Sequence, residues 1–118
     1  MKNDKSVIII DDETDFCLLL TEYLTRRQYK VFYSHTLTDG VKLIKEVQPD
    51  VLFLDNNLPD GLGWANAPEI AKKMPFTQII LMSAFHPEIP NMPDKAMFRI
   101  IEKPLSMKEL DKQLSNFP

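Results

Sequence analysis

Three short apolar runs constrain the fold of this 118-residue chain more than any other feature of its sequence. They are VIII at 7–10, VLFLD at 51–55 and IILMS at 79–83, and the last two each end in one polar residue. Their length suits strands, and none alternates apolar with polar residues as a strand with one solvated face does. Continuous runs of this kind are typical of parallel strands that are covered on both faces. The sequence therefore predicts a sheet packed between two layers of helices.

Helical patterns lie between these runs and two further candidate strands, KVFYS at 30–34 and MFRII at 97–101, whose polar residues suit sheet edges. The predicted apolar helix faces are Phe16, Leu19, Leu20, Tyr23 and Leu24; Leu37, Val41 and Ile44; Ala67, Ile70, Ala71 and Met74; and Met107, Leu110, Leu114 and Phe117. Ser106 and Glu109 match a capping box before the last helix. Strands that alternate with helices predict one three-layer α/β domain over residues 1–118, with five parallel strands.

Composition narrows the classes of function. The net charge of −3 disfavours direct nucleic-acid binding, which needs a basic patch or stripe. Cys17 is the single cysteine, so no internal disulfide is available and a reducing cytoplasm is the expected compartment. The apolar runs fall far short of a membrane span, and we expect no membrane partner.

Polar side chains follow the predicted strands at one edge of the sheet. Asp11 and Asp12 follow the first strand, Asp55 ends the third, Ser83 ends the fourth and Lys103 follows the fifth. Ligands of open parallel sheets bind beyond the carboxyl ends of the strands, so these groups should converge. Clustered carboxylates repel one another unless a cation lies between them, and oxygen ligands of this kind suit Mg²⁺. An ordinary solvated loop is the alternative for each residue taken alone.

Taken together, these residues resemble the receiver domain of two-component response regulators. The matching stretches are IIIDDE, VLFLDNNLPDGLG, LMSA and IIEKP, and they extend over the whole chain. The resemblance implies a doubly wound, flavodoxin-like sheet with strand order 2-1-3-4-5. It also implies a signalling switch in a phosphorelay, with no separate substrate turnover.

The resemblance further implies a metal site and its ligands. Asp12 and Asp55 would bind Mg²⁺ directly, and the backbone carbonyl of Asn57 would be the third protein ligand. Asp11 would act mainly through a water molecule bound to the metal.

Three residues carry the expected chemistry of the switch. Asp55 would take a phosphoryl group from the phosphohistidine of a histidine kinase or phosphotransfer protein. Ser83 would donate a hydrogen bond to the arriving phosphoryl oxygen, and Lys103 would pair with the same group. The Lys103–Pro104 peptide bond is expected to be cis.

Two features depart from the family pattern. Ile100 stands where the family usually has the aromatic side chain that signals phosphorylation, and the nearest aromatic residue is Phe98. The segment 85–96, where the family forms its fourth helix, contains Pro87, Pro90 and Pro93. Each interior proline costs a helix about 3 kcal/mol, so we predict a short or irregular fourth helix, with Ile89 and Met92 covering the sheet.

These departures leave two alternatives to a phosphoryl-accepting switch. A receiver-like module that only binds a partner protein is the first. The second is a Mg²⁺-dependent phosphatase of haloacid-dehalogenase type, but that class needs an acid where this chain has Asn57. We also expect contacts through the first or last helix or a loop near Asp55, with a homodimer among the candidate partners. A receiver domain commonly precedes an effector, so a longer protein is expected, with a stand-alone receiver as the alternative.

Overall fold

A computed structural model describes residues 4–85 and 87–115 of the chain. The strands are β1 (Ser6–Ile10), β2 (Lys30–Ser34), β3 (Val51–Asp55), β4 (Asn57–Leu58), β5 (Gly61–Leu62), β6 (Gln78–Ser83) and β7 (Phe98–Glu102). The helices are α1 (Thr14–Arg26), α2 (Leu37–Val47), α3 (Ala67–Lys73) and α4 (Met107–Leu114), and a 3₁₀ turn, Gly63–Asn66, precedes α3. Within these residues, no helix has the length and apolar character that crossing a membrane requires.

The main sheet has five parallel strands in the order β2-β1-β3-β6-β7. When these five are numbered along the chain, the order is 2-1-3-4-5, as predicted. The polar strands β2 and β7 lie at the two edges. The other two strands, β4 and β5, form a small antiparallel hairpin directly after β3, and the sequence analysis did not anticipate it.

Alternate residues of the strands fill two separate cores, one on each face of the sheet. Val7, Ile9, Phe53 and others pack against α1 and α4 on one face. On the opposite face, Ile8, Ile10, Leu52, Leu54 and others pack against α2, the 3₁₀ turn and α3. A fully buried side chain of this size contributes about 1.5–3 kcal/mol to folding. Burial on both faces explains why β1 and β3 are apolar at successive positions.

Two residues of the predicted helix faces are exposed. Leu19 is 42% exposed, and Cys17 takes its place in the core beside Leu20. Met107 is 46% exposed because it begins α4, and the partly buried Leu105 packs against the core there instead. Phe117, the last residue of the predicted face, lies outside the described residues.

The segment between β6 and β7 contains no helix among its described residues, 84–85 and 87–97. This confirms the prediction from its three prolines. The partly buried Met92 packs against the sheet as expected. Ile89 does not, because its side chain is 57% exposed. An extended path presents successive side chains in different directions, so the two residues need not share one face.

Candidate functional site

The carboxyl ends of β1 and β3 place three aspartates together. Asp11 follows β1, Asp12 is the next residue, and Asp55 is the last residue of β3. Carboxylate oxygens of the three lie within 4.8 Å of one another. Asp11 and Asp55 are buried, whereas Asp12 is exposed. The strands are hydrogen-bonded neighbours, so the sheet itself holds these charges close.

Lys103 places its ammonium group among these acids. Its Nζ lies 2.5 Å from Oδ2 of Asp11, 2.6 Å from Oε1 of Glu13 and 3.5 Å from Oδ1 of Asp55. The side chain is only 8% exposed, and Nζ lies 4.8 Å from the centre of the Phe16 ring. Lys103 directly follows β7, which ends at Glu102. The Lys103–Pro104 peptide bond is cis, as expected.

Burial and charge shift the pKa values of these groups. Burial and, after it, the charge of Asp11 raise the pKa of Asp55 to about 6, although Lys103 acts to lower it. Burial also raises the pKa of Asp11, despite the hydrogen bond from Lys103. For Lys103, burial acts to lower the pKa, but the bonds to Asp11 and Glu13 outweigh it and the pKa rises. One ammonium therefore only partly balances the clustered carboxylates, and the site favours a further cation.

Ser83 ends β6, the strand beside β3 in the sheet. It is buried, and its hydroxyl forms a tight turn with Phe85: Oγ donates to the carbonyl of Phe85 at 3.3 Å and accepts its N–H at 3.1 Å. The backbone carbonyl of Ser83 accepts the N–H of Lys103 at 3.0 Å. The two predicted phosphoryl contacts are thus joined directly through the backbone.

The chain after Asp55 is held by close backbone packing. The N–H of Gly63 donates to the carbonyl of Asn56 at 2.8 Å, and a Cβ at Gly63 would lie 2.1 Å from the carbonyl oxygen of Asp55. Only glycine fits such an approach. The N–H of Trp64 donates to Oδ1 of Asn56 at 3.1 Å, and its buried indole Nε1 donates to the carbonyl of Leu54. These contacts fix the backbone that carries Asp55.

The structure brings Asp11, Asp12, Asp55 and Lys103 together as the strand ends predicted. Asn57 is exposed and begins the hairpin strand β4, two residues after Asp55. The assigned roles of these residues, including metal binding through the Asn57 carbonyl, stay predictions.

Glu13, the third acid of VIIIDDE, was not predicted as a partner of Lys103. The available signal was its position directly after the acidic pair, at the start of a helix.

A family model, the response regulator receiver domain, matches residues 7–115. The chain belongs to this family. Receiver domains are signalling switches that bind Mg²⁺ at an acidic pocket. The family match and the three-layer fold both confirm the resemblance drawn from the sequence.

Solved structures of receiver domains share this fold. A receiver domain protein from Methanospirillum hungatei has a TM-score of 0.80 at 20% identity, over 96% of this chain and 92% of that chain. A two-component response regulator from Clostridium difficile has a TM-score of 0.79 at 20% identity, over 95% and 93%. A response regulator from Burkholderia pseudomallei, solved with a phosphorylated aspartic acid and a calcium ion, has a TM-score of 0.74 at 20% identity, over 91% and 64%.

Proposed function

We propose that this receiver domain is switched by Mg²⁺-dependent phosphorylation of Asp55, with a histidine kinase or phosphotransfer protein as the donor. The observation that carries this proposal is the buried Asp55 carboxylate, which lies close to both the Asp11–Asp12 pair and the Lys103 ammonium. The similar structure from Burkholderia pseudomallei contains a phosphorylated aspartic acid and a divalent ion, which supports the assignment.

The chain's own groups suit an in-line phosphoryl transfer. An oxygen of Asp55 attacks phosphorus, the bond from phosphorus to the donor nitrogen breaks, and the donor imidazole leaves. Charge in such a transition state spreads over the phosphoryl oxygens. Lys103, protonated and 3.5 Å from Asp55, is placed to pair with one of these oxygens. Ser83 supplies a hydroxyl once its proton turns away from the carbonyl of Phe85.

The three clustered carboxylates fit Mg²⁺, which prefers oxygen ligands. We propose that Asp12 and Asp55 bind the ion directly, with Asp11 acting through water and Asn57 through its carbonyl. When bound, Mg²⁺ supplies positive charge next to the carboxylate and the phosphoryl oxygens.

In this function the chain is a switch and not an enzyme with a separate substrate. Asn57 stands where a haloacid-dehalogenase phosphatase needs its second acid, and the family match disfavours that alternative. A cytoplasmic location belongs to the proposal, because Cys17 is a free, buried thiol.

The test is phosphorylation of Asp55→Asn by acetyl phosphate with Mg²⁺, followed by intact mass. The wild-type chain should gain the mass of one phosphoryl group, because the Asp55 carboxylate attacks phosphorus and acetate leaves. The variant should gain none, since an amide is a poor nucleophile.

Asp39→Asn is the matched control. Asp39 is exposed in the first turn of α2, and its variant carries the same change of charge. It should gain the same mass as the wild type. A phosphoryl group on Asp55→Asn would show that another residue is the acceptor.

A further inference from the structure

Glu13 forms an ion pair with Lys103 that does not involve the three clustered aspartates. Its Oε1 lies 2.6 Å from Nζ of Lys103. Asp11, the other close acceptor, belongs to the cluster that would bind the ion. A bond from Glu13 therefore holds the ammonium without using a carboxylate of that cluster.

The backbone of Glu13 is fixed at the start of α1. Its N–H donates to Oδ1 of Asp11 at 2.9 Å, and its carbonyl accepts the N–H of Cys17 at 3.0 Å. The Glu13 carboxylate is thus carried on a rigid support, although its side chain is 62% exposed.

A lysine at this position needs a partner such as Glu13 more than an arginine would, because the guanidinium of arginine is planar and directional. A lysine ammonium is a point charge on a flexible four-carbon stem, with no preferred direction of its own. Its distance of 3.5 Å from Oδ1 of Asp55 is longer than a good charged hydrogen bond. Asp55 therefore holds the ammonium only weakly. For a phosphoryl oxygen on Asp55 to pair with the ammonium, another group must already hold the ammonium in position.

We propose that Glu13 is a positioning residue for phosphoryl transfer, holding the Lys103 ammonium where a phosphoryl oxygen on Asp55 meets it. This inference rests on the proposed function and adds a residue to the same site. Glu13 touches neither the reacting oxygen nor the incoming group, and it acts through Lys103.

The test compares Glu13→Ala, Glu13→Gln and the control Asp15→Ala, with acetyl phosphate as donor at saturating Mg²⁺. Asp15 is exposed in the first turn of the same helix. Glu13→Ala should react about twofold to fivefold more slowly, in line with the loss of one partly exposed charged contact. Mg²⁺ affinity, measured by calorimetry, should change less than about twofold, because Glu13 lies outside the cluster. Glu13→Gln should recover part of the rate, and Asp15→Ala should match the wild type.

Two further measurements separate positioning from a general structural effect. In a Lys103→Met background, Glu13→Ala should cause no further loss of rate, as expected for residues that act as one unit. In the metal-free protein, the NMR signal of the Lys103 ammonium should be visible in the wild type and lost in Glu13→Ala.

An equal slowing by Glu13→Ala with and without Lys103 would overturn the inference. An unchanged or faster rate in Glu13→Ala, beside a reactive wild type, would overturn it alone. A wild-type chain that takes no phosphoryl group would overturn the proposed function, and this inference with it.

Discussion

Asp60 connects the hairpin after β3 to the start of α2, two segments that lie far apart in the sequence. It lies between the hairpin strands β4 and β5, and its carboxylate accepts the N–H groups of Leu37 and Thr38 at 2.7 and 2.9 Å. The hydroxyl of Thr38 donates to it as well, at 2.7 Å. The first N–H groups of a helix have no partner within the helix, so Asp60 supplies acceptors that α2 needs. The bonds from Leu37 and Thr38 lower the pKa of Asp60 to about 2.

Asp60→Asn should lower the melting temperature at neutral pH, because a neutral amide is a weaker acceptor for these donors. The folded state lowers the pKa of Asp60 from its ordinary value of 3.8, so it favours the ionised form. That stabilisation is present above the ordinary pKa and is lost as the pH falls toward about 2. The difference in melting temperature between variant and wild type should therefore shrink below about pH 4. A difference that stays constant across this range would contradict the assignment.

At the scale of single residues, the position of the candidate site could be predicted from the sequence, but several of its side-chain contacts could not. The convergence of Asp11, Asp12, Asp55 and Lys103 was predictable, because each ends or follows a strand and parallel strand ends meet at one edge. The links from Asp60 to α2 and from Glu13 to Lys103 were not, because they depend on side-chain reach between separate segments. The spacing of residues along the chain does not indicate which side chains of separate segments come into contact.

The last helix, α4, is short and depends on a contact with α1. It contains eight residues, and only Leu110 and Leu114 are buried. The hydroxyl of Tyr23 donates to Oδ1 of Asp111, and the guanidinium of Arg27 lies 2.9 Å from the same oxygen. That guanidinium also lies 3.6 Å from the centre of the Tyr23 ring. Burial, followed by the bond to Asp111, raises the pKa of Tyr23 to about 12.

Tyr23→Phe should lower the free energy of unfolding by about 1 kcal/mol, the usual net contribution of one hydrogen bond. The ring remains, so packing in the core is kept and the lost hydroxyl is the cause. Urea unfolding followed by circular dichroism measures the change. Tyr33→Phe is the control, because Tyr33 is 46% exposed on the edge strand β2, and its effect should be near zero. Equal effects from both variants would show that the bond to Asp111 contributes nothing.

At the scale of elements, apolar patterns were reliable for strands and less so for helix faces. β1 and β3 are buried on both sides, so every residue carries the signal. The buried face of a helix depends on the elements that pack against it, and in the described part of the chain Leu19 and Met107 stay 42% and 46% exposed. The absence of a helix between β6 and β7 followed from proline chemistry, which acts locally and therefore shows in the sequence.

At the scale of the whole molecule, contacts in three directions join the proposed phosphorylation site to its surroundings. Lys103 leads to Glu13 at the start of α1, and Ser83 leads to the turn at Phe85. The chain after Asp55 leads through Asp60 to the start of α2. We predict that the usual readout of the family is altered here, because Ile100 stands at the position of the aromatic residue and the segment before β7 contains no helix in its described part. The contacts toward α1 and α2 are built from charged hydrogen bonds that do not need either feature.

Beryllofluoride with Mg²⁺, used as a phosphoryl mimic, should therefore slow amide exchange in residues 57–62 and 36–40. A group bound at Asp55 fixes the backbone that follows it, and Asp60 transmits that restraint to the N–H groups of Leu37 and Thr38. Hydrogen exchange followed by mass spectrometry measures the protection. Asp55→Asn under the same conditions should show no change. Protection confined to residues 85–101 would mean that the usual face of the family reports phosphorylation after all, despite Ile100 and the prolines.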